Sequence, residues 1–420
     1  MIKKEIASLK RSSKFVDYYE SDSLANHLND LRLRIVNDLK AKSPKIAFEM
    51  MLNFLDLHKN TLERADDSNG TVGDAFKTAC EDLGLLVQSA NHLKNHEIVE
   101  IVFARFLHND YGIYDDIIHH FKDSLKDQGL DLLQAKFEHT ADEKNSFSVK
   151  FGFKSIADCK NDVDLYINAC SFKDGMCAHD HLEIAKRLIK HERAKEALQW
   201  LNSMEIPSIH PWQHDKKELK IQALELDGNY EQAQKERVMW FAETLSPKLY
   251  ENILKASKQN FKQAFQSDAI KKAFQFSEPH TGLYFLIQIQ ELDEAAKFVR
   301  TRFKELNGRQ YYTLRPAADL LRNVDPIAAT SLYRRMIEPV LEETKSKYYN
   351  YAAKDLVTCS VLDSKITDWK ELQKHDEYFK EIEIKHKRKI SFWAEYKSAL
   401  QKQTAKEEKM ATLAGKTQMV

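Results

Sequence analysis

Glycine and proline are scarce, 11 and 8 residues in a chain of 420, where average usage would place about 29 and 21. A fold of many short strands and tight turns needs both, so an all-β or loop-rich architecture is excluded. An excess charge of one sign is also missing, with Lys plus Arg and Asp plus Glu both totalling 64. A polyanion finds no overall electrostatic footprint, and nucleic acid is not expected as a partner. Long hydrophobic runs are absent too. The longest stretch without Asp, Glu, Lys or Arg runs from Pro279 to Gln290, well short of the roughly 20 apolar residues a membrane span takes. The start, Met1-Ile2-Lys3-Lys4-Glu5, stays charged through Lys14 with no apolar segment behind it. No secretory signal is expected there, and the chain is expected to be cytoplasmic. The five cysteines (Cys80, Cys159, Cys170, Cys177, Cys359) are odd in number and dispersed, which fits reduced, packed thiols rather than a disulfide framework.

What is present is helical patterning, in a chain with 43 % apolar and 30 % charged residues. Phe48, Met51, Leu52, Leu55 and Leu62 make one apolar stripe, with Ser43-Pro44 supplying an N-cap and a first-turn proline upstream. After a turn at Asp66 to Gly70, Val72, Phe76, Ala79, Cys80 and Leu83 repeat the pattern, which predicts a helix hairpin. Further helices are expected over 92–109 and 113–135. Periodicity fades over 141–155, read as a loop or boundary between an N-terminal helical region (1–140) and a second region (156–400). The polar segment 401–420 is expected to fray.

The second region carries a degenerate period. Ala197, Ala233, Ala264, Ala296 and Ala329 are 36, 31, 32 and 33 residues apart, each early in the second helix of an expected pair. A small residue there lets helices approach closely, as in the 34-residue tetratricopeptide repeat. Asp227-Gly228-Asn229, Ser246-Pro247 and Asp325-Pro326 supply turn and cap chemistry in register. The expected fold is all-α, a tetratricopeptide-like α-solenoid of antiparallel helix pairs.

Glu63-Arg64-Ala65-Asp66-Asp67-Ser68-Asn69-Gly70-Thr71-Val72-Gly73, the runs Asp180 to Leu188 and Arg193 to Leu201, Pro326 to Thr330 with Leu332-Tyr333-Arg334, and His386 to Lys389 with Phe392-Trp393 together resemble a bacterial family of uncharacterised helical-repeat proteins. The resemblance spans roughly residues 60–395. It implies a domain of unknown function with no assigned catalytic residues. Some relatives are similar to the helical region of proteins bearing a SWIM zinc finger, a feature excluded here because the chain has no Cys-x-Cys.

Candidate chemistry is thin. The turn Asp66, Asp67, Ser68, Gly70, Gly73 has the oxygen ligands a divalent cation would need. Its bland reading is a helix start, with Thr71 and Asp74 as a capping box. Cys170, Cys177, His179 and His181 have poor spacing for zinc, and Asp180 reads as the N-cap of the following helix. There is no Gly-x-Ser-x-Gly elbow, Walker loop or His-Glu-x-x-His. The basic stretch Lys385 to Lys389, followed by Phe392 and Trp393, reads as a solvated helix face with its aromatics packed. Tyr311, Tyr312, Tyr333, Tyr348, Tyr349 and Tyr351 concentrate in the last third, where core packing competes with an exposed aromatic groove.

These patterns favour a non-enzymatic, cytosolic protein-interaction module, a scaffold or adaptor binding a protein or peptide. Arg193, Trp200, Arg237, Trp240, Tyr333 and Arg334 are the expected interaction surface. The alternative is an enzyme or ligand-binding protein with a polar site at Asp66-Asp67-Ser68. No catalytic residue, metal ligand or cofactor is assigned.

Overall fold

The computed structural model describes residues 1–420 except 91–92, 141–145, 173–174, 371 and 418–420. Among the described residues all regular structure is helical, apart from one isolated parallel bridge between Val16 and Ala65. No helix among them is long and apolar enough to cross a membrane. The chain divides into two compact units, Met1–Gly228 and Asn229–Val420.

The first unit contains α1 (Ile2–Arg11), α2 (Tyr18–Arg34), α3 (Lys40–Lys42), α4 (Pro44–Leu55), α5 (His58–Glu63), α6 (Thr71–Ala90) and α7 (Asn95–Leu107). It continues with α8 (Ile117–His120), α9 (Lys122–Thr140), α10 (Ser146–Lys160), α11 (Val163–Cys170), α12 (Ala178–Lys190), α13 (Ala194–Ser203) and α14 (Gln213–Leu226). Ser43 caps α4 by accepting from the Ile46 N–H, with Pro44 in the first turn as expected. Phe48, Met51 and Leu55 of α4 are buried together with Val72, Phe76, Ala79, Cys80 and Leu83 of α6. The α4 and α6 faces pack on one another, with the Phe54 and Phe76 rings 5.3 Å apart. Leu62 lies beyond the end of α4, in α5.

Part of the segment 141–155, expected as a loop or boundary, lies outside the described residues, and the part described is helix. From Ser146 onward the segment is α10, which buries Val149, Phe153 and Ile156 at i, i+4 and i+7. Its Gly152 is a packing residue. A Cβ on Gly152 would stand 2.7 Å from the Phe137 ring of α9. The first compact unit ends at Gly228, whose φ of +76° suits glycine.

The second unit contains α15 (Tyr230–Thr244), α16 (Pro247–Ala256), α17 (Gln259–Gln275), α18 (Pro279–Gln288) and α19 (Leu292–Arg302). It ends with α20 (Tyr311–Leu321), α21 (Pro326–Glu342), α22 (Tyr349–Asp363), α23 (His375–His386) and α24 (Ile390–Thr417). Asp325 caps α21 through the Ala328 N–H at 2.9 Å, with Pro326 behind it. Ser246 with Pro247 and Glu278 with Pro279 start α16 and α18 the same way. α15 packs on α16, and from α17 to α23 each helix packs on the next, while α18 also meets α20, α19 meets α21 and α22 meets α24. The expected fraying tail is helical as far as Thr417. Its Ala, Lys, Glu and Gln content favours helix, and Gln403 donates to Glu407 one turn on at 2.7 Å.

Ala197, Ala233, Ala296 and Ala329 are buried at the fourth or fifth position of α13, α15, α19 and α21. Ala264 departs from the pattern and is exposed. The buried stripe of α17 is Phe265, Ala269 and Ala273, so Ala264 sits one residue, about 100°, away from the inward face.

Candidate functional site

In the second unit a pocket of about 570 Å³ opens between α20 and α22 over α21. Helical spacing builds it. Tyr312, Arg315, Pro316 and Asp319 form one stripe of α20, and Tyr348, Tyr351, Ala352 and Asp355 an equivalent stripe at the start of α22. Met336, Pro339 and Val340 of α21 supply an apolar floor. The opposite face of α20, Leu314, Ala317, Ala318 and Leu321, is fully buried, which fixes the pocket stripe outward.

Two prolines shape the walls. Pro316 and Pro339 lie inside α20 and α21. Each removes the N–H that would bond the carbonyl four residues earlier, on Tyr312 and Arg335. Gly308, at the pocket edge, sits against that Arg335 carbonyl so closely that any Cβ would collide with it.

Deep in the pocket Arg315 donates to both Asp355 oxygens, at 2.5 and 2.7 Å, joining α20 to α22. The Asp355 side chain is only 3 % exposed. Burial pushes its carboxyl up, and the two Arg315 bonds pull against that shift. The same bonds hold the Arg315 guanidinium charged. Asp319 is engaged on the far side by the Tyr333 hydroxyl and by Arg322 at 2.6 Å.

Tyrosines surround the mouth. The Tyr311 and Tyr312 rings stand 4.1 Å apart. A hydrogen bond with Tyr312 pushes the Tyr311 phenol up to about 12, with Tyr348 and Tyr351 adding to the shift. Tyr312 is 78 % exposed and Tyr351 49 %. Arg309 and Lys345 share the Glu343 carboxylate, with Arg309 Nε at 2.7 Å and Lys345 Nζ at 2.6 Å. Lys347 and Lys354 lie over the Tyr348 and Tyr351 rings, at 6.0 and 5.9 Å.

Several residues expected to form an interaction surface are placed elsewhere. Tyr333 and Arg334 are buried and Trp240 nearly so. Their aromatic or aliphatic bulk is spent on helix packing, and Arg334 stacks 4.2 Å over the Tyr378 ring. Arg237 is half-buried. In the first unit Arg193 is taken up by Asp164 and Glu196 at 2.9 and 2.6 Å, and half-buried Trp200 packs edge-on to His181.

The acidic turn is a helix start, but not through the expected capping box. Both Asp67 oxygens accept from α6, from the Val72 and Gly73 N–H groups at 2.8 Å each. Thr71 instead donates to Asp22 at 3.1 Å. Asp66 accepts from the Ser68 hydroxyl at 2.5 Å, and Gly70 takes φ +77°. Asp180 is likewise not an N-cap. It is the third residue of α12 and reaches back to the Cys177 N–H at 3.0 Å. Burial pushes its carboxyl up, yet Lys154 at 2.5 Å and the Cys177 N–H prevail and hold it at about 2. Among the described residues no group of three or more His, Cys, Asp or Glu is placed to hold a metal. In the basic C-terminal stretch Lys385 pairs with Glu342 at 3.0 Å, and Phe392 is fully buried against Tyr349.

The tyrosines were visible in the sequence as a cluster. The Arg315–Asp355 pair was not, being 40 residues apart. The usable signal was proline inside two helical patterns of a proline-poor chain, each beside a tyrosine or charged stripe.

A family described only as of unknown function, DUF6880, matches over residues 1–148 and 138–395, and the chain belongs to it. No curated protein matches the chain, and no solved structure does.

Proposed function

We propose that this protein is a binding module whose second unit recognises a protein or peptide segment in the tyrosine-lined pocket. The observation that carries this reading is the pocket itself. Its volume lies within the roughly 300–1,000 Å³ typical of ligand sites, and its apolar floor is ringed by a few convergent polar groups. Half-exposed tyrosines combine large contact area with a polar tip, and binding energy concentrates on such residues. The neighbour and next-neighbour helix contacts over α17 to α21 fit a tetratricopeptide-like solenoid, in which successive helix pairs build a concave binding face. A cytosolic scaffold or adaptor role follows from this reading.

Affinity purification from the native host tests it, comparing the wild-type chain with Tyr312→Ala/Tyr351→Ala and with Tyr230→Ala, an exposed tyrosine of α15 outside the pocket. The expected result is a stoichiometric partner retained by wild type and Tyr230→Ala and lost from the double variant. A partner held equally by all three would refute the assignment of the pocket.

A further inference from the structure

We propose that the pocket selects an acidic peptide segment carrying one bulky apolar anchor side chain. The inference rests on the binding-module reading and adds the chemistry of the ligand.

Charge around the mouth is lopsided although the chain as a whole is neutral. Arg309 and Lys345 line the pocket and share one carboxylate, Glu343, while Lys347 and Lys354 lie over the rings of the lining tyrosines Tyr348 and Tyr351. No carboxylate among the described residues lies within ion-pair distance of Lys347 or Lys354. The neighbouring acids of α21 are committed elsewhere, Glu338 to Arg335 and Glu342 to Lys385, both at 3.0 Å. Deeper in, Arg315 and Asp355 neutralise one another. Asp319 is satisfied by Arg322 and Tyr333. The pocket therefore presents an apolar floor, a neutral base and a cationic rim.

Each layer makes a separate demand on the ligand. The floor of Met336, Pro339, Val340 and Ala352 offers no polar side-chain partner, so it takes an apolar or aromatic side chain. Tyr311, Tyr312, Tyr348 and Tyr351 all line the pocket, and a phenol hydroxyl both donates and accepts, so the walls can meet a peptide backbone. The rim lysines favour carboxylates flanking the anchor and disfavour a basic segment, which would meet an excess of like charge. These rim contacts are exposed, so they act on selection and association rate more than on final affinity, and they weaken with salt.

A phage-displayed library of randomised nonapeptides, panned against the full chain at low salt, tests the inference. The expected selection is Asp- and Glu-rich sequences around a single Phe, Trp, Tyr or Leu. Selected peptides should lose about tenfold or more in affinity on Tyr312→Ala/Tyr351→Ala, and should lose their acidic preference on Lys347→Glu/Lys354→Glu. All four positions are at the surface of the second unit, and circular dichroism checks that the variants fold. Peptides that depend on the tyrosines but are basic or uncharged would overturn the inference while leaving the binding module standing. Peptides insensitive to the tyrosines, or no enrichment at all, would overturn both.

Discussion

Arg315 and Asp355 show how one residue pair can hold a site open. The pair spans α20 and α22 with two parallel hydrogen bonds, and the carboxylate is almost wholly buried. Removing only the arginine strands a charge, and Arg315→Leu is expected to cost about 3 kcal/mol in urea unfolding at pH 7. The cost should shrink in acid. An unpaired, buried Asp355 has a native pKa above its unfolded value, so it titrates first in the folded state and stability recovers as pH falls below that native pKa. A cost independent of pH would show that the carboxylate is not the source. In the first unit Asp67 does a comparable local job by accepting two α6 N–H groups. Asp67→Ala should lower stability by about 1–2 kcal/mol, whereas Thr71→Ala and Asp66→Asn should fall within a few tenths. Equal losses at Asp67 and Thr71 would restore the capping box that the sequence suggested.

Among elements, α23 stands out for the titratable groups at its start. His375 is buried with Nδ1 unpartnered. Burial lowers its pKa, the Arg334 guanidinium lowers it further, and Asp363 and Asp376 oppose them. A histidine with a depressed native pKa binds its proton first in the unfolded chain, so stability is full above about pH 6.5 and declines as pH falls below it. His375→Gln should flatten that slope in a pH series of melting temperatures, although His120 and His386 shift the same way and leave a remainder. An unchanged slope would remove His375 from the explanation. The alanine register tests another set of elements. Ala329→Leu and Ala233→Leu insert bulk where helices touch and should cost about 1–3 kcal/mol, while Ala264→Leu on the open face of α17 should be tolerated. A large loss at Ala264 would contradict the stripe of Phe265, Ala269 and Ala273.

For the whole molecule, helix identity was legible because it is written in local periodicity and caps. Ser43-Pro44, Ser246-Pro247 and Asp325-Pro326 each start a helix. The helix over Ser146–Lys160 was not legible. Gly152 looks like loop composition, and only its approach to Phe137 reveals packing. Burial was half legible, since Tyr333 and Tyr312 are alike in a sequence, yet one is enclosed and the other projects. The pocket needed three helices and a pairing across 40 residues, which no local pattern encodes.

The α20–α22 pocket is the proposed place where this protein meets its partner. Photo-crosslinking in the native host tests it most directly, with p-benzoylphenylalanine in place of Tyr312 and, as control, in place of Tyr230. The account predicts one dominant crosslinked protein from position 312 and none from position 230. Its adduct should form within an acidic segment. The same products from both positions, or no adduct from position 312 while the purified chain still carries a partner, would contradict it.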